Sequence, residues 1–295
     1  MKDNYNTERL SLSSMNMNDA EFIFELVNMP GWIRFIGERN IRSKSDAENY
    51  IQKILDKPGA HYWVAKTKEE NIPAGIITII KRDYLEHPDF GFAFLEQYSG
   101  KGYATEASAV VLKDILNQNA SGEVLAITVK ENERSIHLLE KSGFTFQNQI
   151  HVENEFLEVY KITREEHVIN ELTKSFFSIF NNTNDRKPDW SILENTVIPE
   201  AIIIKKSGVD EEIYNLETFL RPRKKILSDG TLKNFKEFET SHETKISGQI
   251  AQRYSTYSKS GIMNGESFEQ DGTKLFQFVK TKKGWKITSL VWEDK

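Results

Sequence analysis

Two glycines separated by one residue stand between a predicted strand and a predicted helix. Gly100 and Gly102 follow the strand Phe90 to Leu95 and precede a helical pattern that runs to about Asn119. The first N–H groups of a helix lack partners within the helix, and the helix dipole makes that end positive, so such a loop can bind an anion such as a pyrophosphate. Glycine lets the oxygens approach the backbone. A plain strand-to-helix turn is the alternative interpretation, because the loop matches neither a P-loop nor a dinucleotide fingerprint.

A second segment follows one strand later. Asn132 is a typical helix N-cap and Gly143 a typical C-terminal cap, so both residues also have a structural explanation. Ser135 lies between them and carries a hydroxyl that can donate or accept a hydrogen bond. The two segments together, separated only by the predicted strand Val124 to Val129, favour a shared site.

The elements that must position these segments alternate in type. Apolar residues at helical or strand spacing predict a strand, two helices, three antiparallel strands, a helix, a strand, a helix and two final strands. This order predicts an α/β domain with a mixed, mostly antiparallel sheet, covering residues 1–163. The segment Met29 to Ser45 is expected to be irregular and to cover an acceptor site.

The second half, residues 164–295, has a different pattern. A helix from Val168 to Phe180 and a second helix from Ile213, which Pro222 should kink or end, precede four strands. Helices followed by a curved antiparallel sheet predict an α+β cone domain.

Composition excludes several classes of function. The formal net charge of -5 argues against non-specific nucleic-acid binding, and the absence of cysteine excludes disulfides, thiolate nucleophiles and cysteine-ligated zinc. The polar N-terminus lacks a signal-peptide core, and no apolar stretch reaches the ~20 residues that a membrane helix needs. We therefore expect a cytoplasmic protein without membrane contact or a bound metal.

The glycine segment resembles a known family motif. Gln97-x-x-Gly100-x-Gly102-Tyr103-Ala104 is similar to the Gln/Arg-x-x-Gly-x-Gly/Ala motif of the GNAT acetyltransferases, and Asn132-x-x-Ser135 with Gly143-Phe144 resembles their following helix. The run Thr7-Glu8-Arg9-Leu10 is similar to the branch of ribosomal-protein N-terminal and spermidine acetyltransferases. The resemblance covers about residues 7–163.

The resemblance implies a GNAT fold and acetyl-CoA as the cosubstrate, bound where the strand Phe90 to Leu95 splays from its neighbour. A backbone N–H near Leu95 would polarise the thioester carbonyl, and an amine would attack directly, without a nucleophilic residue. The residues implied in acetyl-CoA binding are Phe94, Leu95, Gln97, Gly100, Lys101, Gly102, Tyr103, Ala104, Thr105, Asn132 and Ser135.

The catalytic groups are less defined, because Leu139 stands where many family members have a tyrosine that protonates the departing thiolate. Ser135 and Asn132 are the nearest replacements, and Asp89 is a candidate base acting through a water. Other candidate bases are Glu38, His61, His87 and Glu96. The predicted function is N-acetyl transfer to an amine-bearing acceptor. The alternative is a non-catalytic protein that binds acyl-CoA or a small ligand.

The second half resembles the nuclear transport factor 2-like, or polyketide cyclase-like, cone fold in element order only. That resemblance implies a homodimer through the open face of the sheet. It also implies an apolar pocket, for which the candidate lining residues are Trp190, Phe219, His242, Tyr254, Phe276, Trp285 and Trp292.

Overall fold

The computed structural model describes residues 1–295, apart from the side chains of Asp185 and Glu194. The chain divides into two compact units, Met1–His167 and Val168–Lys295. Each unit has its own sheet and hydrophobic core. Across the described chain, none of the helices combines the length and apolarity needed to cross a lipid bilayer.

The first unit contains an eight-stranded sheet with helices packed against it. The strands are β1 Asn4–Asn6, β2 Leu10–Ser14, β3 Ala60–Thr67, β4 Pro73–Ile80, β5 Asp89–Phe94, β6 Glu123–Thr128, β7 Thr145–Val152 and β8 Glu155–Thr163. The helices are α1 Ala20–Val27, α2 Pro30–Phe35, α3 Lys44–Leu55, α4 Tyr103–Gln118 and α5 Glu133–Lys141. The strand order is β1-β2-β3-β4-β5-β6-β8-β7.

This sheet has the predicted mixed, mostly antiparallel character. Only β5 and β6 pair in parallel, and the remaining neighbours are antiparallel. The segment predicted to be irregular contains the short helix α2, which has Pro30 in its first turn and buries Trp32. Proline is favoured there because its missing N–H would have no partner in any case.

The second unit pairs three helices with a six-stranded sheet. The helices are α6 Arg164–Ser178, which begins at the end of the first unit, α7 Ser191–Thr196 and α8 Leu216–Ser228. The strands are β9 Val197–Ser207, β10 Asp210–Tyr214, β11 Leu232–Ser247, β12 Ile250–Met263, β13 Glu266–Thr281 and β14 Gly284–Asp294. The order is β10-β9-β14-β13-β12-β11, and the β14–β9 pair is parallel.

One expectation for this unit was wrong. Ile213 lies in strand β10, paired with Ile204, rather than in a helix. The helix after it contains Pro222 and continues to Ser228, so the proline does not end it. The Nη1 of Arg223 donates to the carbonyl of Phe219, one turn earlier in the same helix, at 2.7 Å. Whether this unit is a nuclear transport factor 2-like cone stays a prediction.

A buried ion pair joins helix α6 to the sheet of the second unit. Arg253 is 2% exposed and donates to both oxygens of Glu239, at 2.8 and 2.5 Å, and to Asn170 of α6 at 2.6 Å. Burial opposes ionisation of Glu239, but its partners outweigh this effect and lower the pKa of Glu239 to about 2. Both charges are therefore compensated inside the fold.

Replacing Arg253 with methionine should destabilise the second unit strongly. The variant leaves Glu239 buried without its cation, which costs about 3–5 kcal/mol. Hydrogen exchange of the β11 and β12 amides in the full chain measures the loss locally. The control is Lys245→Met, which breaks the exposed pair with Glu243 and should cost about 1 kcal/mol or less. Equal protection in the two variants would contradict a stabilising role for the buried pair.

Candidate functional site

The parallel strands β5 and β6 diverge after one residue pair. Asp89 lies opposite Leu125, whose N–H donates to the Pro88 carbonyl at 2.9 Å. Beyond that point β5 continues to pair with β4 while β6 pairs with β8. A V-shaped opening therefore separates the two strands, as the family resemblance implies.

The backbone groups that face this opening follow from the register of β5 with β4. The Leu95 N–H donates to the Ala74 carbonyl at 2.9 Å, so Leu95 cannot be the predicted oxyanion donor or pair with a pantetheine arm through that N–H. In a strand, successive N–H groups point to opposite edges. The amides of Phe92 and Phe94 therefore point toward the β6 side, where the opening lies.

The glycine loop leads from β5 into α4. Gly100 and Gly102 have left-handed φ angles of 73° and 80°, and Gly102 is the N-cap of α4 without any side-chain cap. Gln97 lies in the 3₁₀ turn Glu96–Tyr98, and Lys101 stands exposed between the two glycines. Within the described chain, no protein acceptor takes the N–H groups of the first α4 residues, Tyr103, Ala104 and Thr105. These amides form a binding point for an anion.

The connection between β1 and β2 holds the glycine loop in place. Glu106 in the first turn of α4 accepts from the Thr7 hydroxyl at 2.5 Å and from the Arg9 Nε at 2.7 Å. The Arg9 Nη1 donates to the Lys101 carbonyl at 2.9 Å, and its guanidinium lies 4.6 Å from the Tyr103 ring centroid. Partial burial opposes ionisation of Glu106, but the Thr7 and Arg9 partners outweigh it and lower its pKa. Thr7 and Arg9 thus anchor the loop.

A cavity of about 610 Å³ lies along the opening in the first unit. Its lining includes Asp89 at the apex, Asn132 and Ser135 from α5, and Trp32 from α2. The predicted residues Phe94 and Leu95 and the glycine loop are not among the lining residues. The structure therefore separates the sequence-predicted residues into an anion point at the α4 N-terminus and a chamber around Asp89.

Asp89 is buried and held by two partners. Its Oδ2 accepts from the Arg82 Nε at 2.6 Å, and its Oδ1 accepts from the Ile127 N–H at 3.2 Å. Burial raises the pKa of Asp89 to about 6, although Arg82 and the Ile127 N–H oppose the shift. The Asp89 carboxylate therefore accepts the Ile127 N–H, which has no strand partner where β5 and β6 diverge. A pKa of about 6 also suits a general base.

The α5 residues lie where the resemblance puts the leaving-group acid. Leu139 is 2% exposed and packs in the core, so it supplies no proton. The Asn132 Oδ1 accepts from the Ser135 N–H at 3.3 Å, which makes Asn132 the N-cap of α5. The Asn132 Nδ2 and the half-buried Ser135 hydroxyl are the polar groups that this end of α5 presents to the chamber.

Several polar residues of the chamber escaped the sequence analysis. They are Tyr50, Tyr62, Thr78, Arg82, Tyr84, Glu153 and Glu155. Burial raises the pKa of Tyr62 to about 12. A signal existed for Arg82, because it and Asp89 are opposite charges at the two ends of one hairpin connection. The tyrosines left no signal of their own, since they come from separate elements.

The other candidate bases do not line the chamber as the structure describes it. His87 pairs with Glu123 at 2.7 Å, and Glu38 pairs with Arg42. His61 stacks against Trp63. Among the sequence candidates, only Asp89 combines burial with access to the chamber.

Comparisons with known proteins find relatives of the first half of the chain. The model of the acetyltransferase (GNAT) domain family matches residues 9–145. Spermidine N(1)-acetyltransferase of Escherichia coli (strain K12) is 20% identical over 142 residues, which are 48% of this chain and 75% of that protein. A GCN5-related N-acetyltransferase from Brucella melitensis shares the fold with a TM-score of 0.50 and 15% identity, covering 56% of this chain and 80% of its own. An acetyltransferase of the GNAT family from Bacillus anthracis has a TM-score of 0.49 and 23% identity, with 55% and 99% covered.

Proposed function

We propose, from the premise that residues 9–145 form an acetyltransferase domain of the GNAT family, that this chain is an N-acetyltransferase acting on a primary amine. Acetyl-CoA is the acetyl donor of that family. The acceptor amine belongs to a small molecule, a peptide or a protein N-terminus. The observation that carries the proposal is the opening between β5 and β6, which has unpaired helix amides beside it and a buried carboxylate at its apex.

The α4 N-terminus suits the diphosphate of acetyl-CoA. The N–H groups of Gly100, Gly102 and Ala104 would bind its oxygens, and the exposed Lys101 adds positive charge. A Cβ built on Gly100 meets no atom within 4 Å, so the space beside the loop is open. The pantetheine arm would then pair with the backbone of Phe94, and Phe92 would be the second strand contact.

The transfer needs no covalent enzyme intermediate. The amine nitrogen attacks the thioester carbon, the C–N bond forms, and the C–S bond breaks with release of the thiolate. A backbone N–H of β5, from Phe92 or Phe94, would stabilise the oxyanion in place of Leu95. Asp89, acting through a water, would accept the proton of the amine. The Ser135 hydroxyl or the Asn132 amide would donate a hydrogen bond to the departing thiolate.

The acceptor is tested with a panel of amines. The relative from Escherichia coli is named a spermidine acetyltransferase, so spermidine belongs in the panel beside short peptides and simple alkylamines. The full chain should release CoA thiol from acetyl-CoA in the presence of at least one amine and not in its absence. No release with any amine, together with tight acetyl-CoA binding, would instead favour the non-catalytic alternative, a binding protein for acyl-CoA or a small ligand. Leu139 is the observation that keeps that alternative open.

We also propose that the second unit, from about residue 164, is a cone domain that pairs two copies of the chain. Tyr254 and Leu275 are 49% and 47% exposed and lie side by side, with Val291 and Ile204 continuing the row across the sheet. This uncharged row gives a second sheet an apolar surface to pack against.

Leu275→Glu should convert the dimer into a monomer, because each copy would bury an uncompensated carboxylate in the apolar interface. Sedimentation velocity at micromolar concentration measures the change. Val209→Glu is the control, since Val209 is 89% exposed in the turn between β9 and β10. A wild-type chain that sediments as a strict monomer would contradict the pairing.

A further inference from the structure

The second unit contains a larger cavity than the chamber of the first unit. Its volume is about 750 Å³, which lies within the usual range for small-molecule sites, about 300–1,000 Å³. Only Phe219 and Trp292 of the residues predicted to line a pocket do so. Phe276 and Trp285 are instead buried in the core, and Tyr254 is exposed.

Most of the cavity wall is apolar. Aromatic and aliphatic side chains from α6 and the turn after it, from α8 and from the sheet surround it, among them Phe176, Phe180, Ile226, Phe268 and Leu290. An apolar wall of this kind favours a ligand with a hydrophobic body, because burying apolar surface from both partners is favourable.

Three carboxylates line the cavity, and two of them are already neutralised. Glu237 accepts from the Lys274 Nζ at 2.8 Å, and both side chains are less than 10% exposed. Asp294 accepts from the Lys259 Nζ and from the Tyr257 hydroxyl, each at 2.5 Å. Burial lowers the pKa of Lys274, while Glu237 opposes that shift. These two pairs cancel in charge. The third carboxylate, Glu266, is exposed, and the lining cation Lys205 lies 3.9 Å from Glu212.

Arg223 is the remaining cation of the lining. Its guanidinium lies 3.7 Å from the Phe219 ring centroid and 5.6 Å from those of Tyr214 and Trp292. Among the side chains that the structure describes, no carboxylate comes within 4.0 Å of it. One of its five N–H donors goes to the Phe219 carbonyl, and the Tyr214 hydroxyl is a second hydrogen-bond partner. Burial lowers the pKa of Arg223, although Tyr214, Glu237 and Glu212 oppose the shift. A desolvated cation without a carboxylate partner favours an anionic ligand.

We propose that this cavity binds a hydrophobic monocarboxylate, whose carboxylate pairs with Arg223 and whose apolar body lies against the aromatic wall. The planar guanidinium, fixed by stacking on Phe219, presents its remaining donors in the fork geometry that suits a carboxylate. The proposal concerns a site separate from acetyl transfer and does not depend on it.

The test is titration calorimetry on the full chain with two acids and two uncharged analogues of the same shape. The probes are 2-naphthoate and decanoate, compared with 2-naphthalenemethanol and 1-decanol. We expect at least one acid to bind with a Kd below about 1 mM and to bind about tenfold more tightly than its alcohol. The naphthyl and decyl arms show whether the body is aromatic or aliphatic. Equal binding of acid and alcohol, or no binding of either acid, would overturn the proposal.

A charge-removing variant connects the effect to Arg223. Arg223→Met should weaken acid binding about tenfold and leave alcohol binding unchanged, because only the charge-assisted hydrogen bonds are lost. Arg221→Met is the matched control, since Arg221 lies on the same helix, 73% exposed and paired with Glu217. If Arg223→Met fails to fold, as judged by circular dichroism, Arg223→Lys keeps the charge without the fork and should show a smaller loss of acid binding. Wild-type affinity in a folded Arg223→Met would refute the assignment.

Discussion

Gly102→Glu is expected to raise the KM for acetyl-CoA by about 100-fold or more, through backbone strain and charge repulsion together. Gly102 has a φ of 80°, a conformation that L side chains rarely adopt, and a Cβ there would lie 3.3 Å from the Arg9 Nη2. The glutamate would also place a negative charge at the amides that we assign to the diphosphate. Initial rates at varied acetyl-CoA, together with calorimetry of CoA binding, measure the effect.

Two variants separate the causes of this loss. Gly102→Ala introduces the strain and the Cβ without the charge, and should raise the KM by about tenfold. Gly265→Glu places the same residue at another left-handed glycine, with a φ of 90° and no atom within 4 Å of the added Cβ, and should leave acetyl-CoA kinetics unchanged. Normal acetyl-CoA binding by a folded Gly102→Glu would remove the basis of the proposed site.

The glycine loop could be predicted because its signal is local. Gly100 and Gly102 are close in sequence, and the change from strand to helix period occurs across them, so the anion point and α4 follow from one short segment. Apart from the short strand β1 and the short helix α2, which were not predicted, the order of elements in the first unit could be predicted for the same reason, since the longer strands and helices carry their own apolar spacing.

The error at Leu95 has a different origin. The direction of a strand N–H depends on which neighbour the strand pairs with and in which register, and the Leu95–Ala74 bond sets that direction. Periodicity within one strand does not contain this information. The tyrosines of the chamber were missed because Tyr50 and Tyr62 meet Arg82 only after α3, β3 and β4 pack.

The second unit shows how tertiary contacts override local propensity. Pro222 predicts that the helix kinks or ends there, yet α8 continues to Ser228, and Phe219 on the turn before the proline is buried in the core. The pocket residues were mispredicted because aromatic content alone does not tell which face of a strand a side chain occupies. Tyr254 lies on the exposed face, whereas its neighbour in sequence Arg253 is buried.

Asp89→Asn is expected to lower kcat by about 100-fold at pH 8, within the usual contribution of a general base. A base acts when it is deprotonated, so the wild-type rate should rise with pH through about 6, the pKa that burial gives Asp89, and level off above it. The Asn variant should lose that inflection. Rate profiles between pH 5 and pH 9 with a saturating amine measure both effects.

Asp19→Asn is the matched control for loss of a buried, ion-paired carboxylate in the same unit. Asp19 is 3% exposed and lies 3.6 Å from the Lys66 Nζ, outside the chamber lining. Its variant should keep the wild-type profile even if it loses stability. An Asp89→Asn enzyme that is slow but retains the inflection near pH 6 would show that Asp89 holds Arg82 and Ile127 in position rather than taking the proton. The distinction matters because Asp89 also has a structural role. Its carboxylate accepts the Ile127 N–H of β6 just beyond the point where β6 stops pairing with β5.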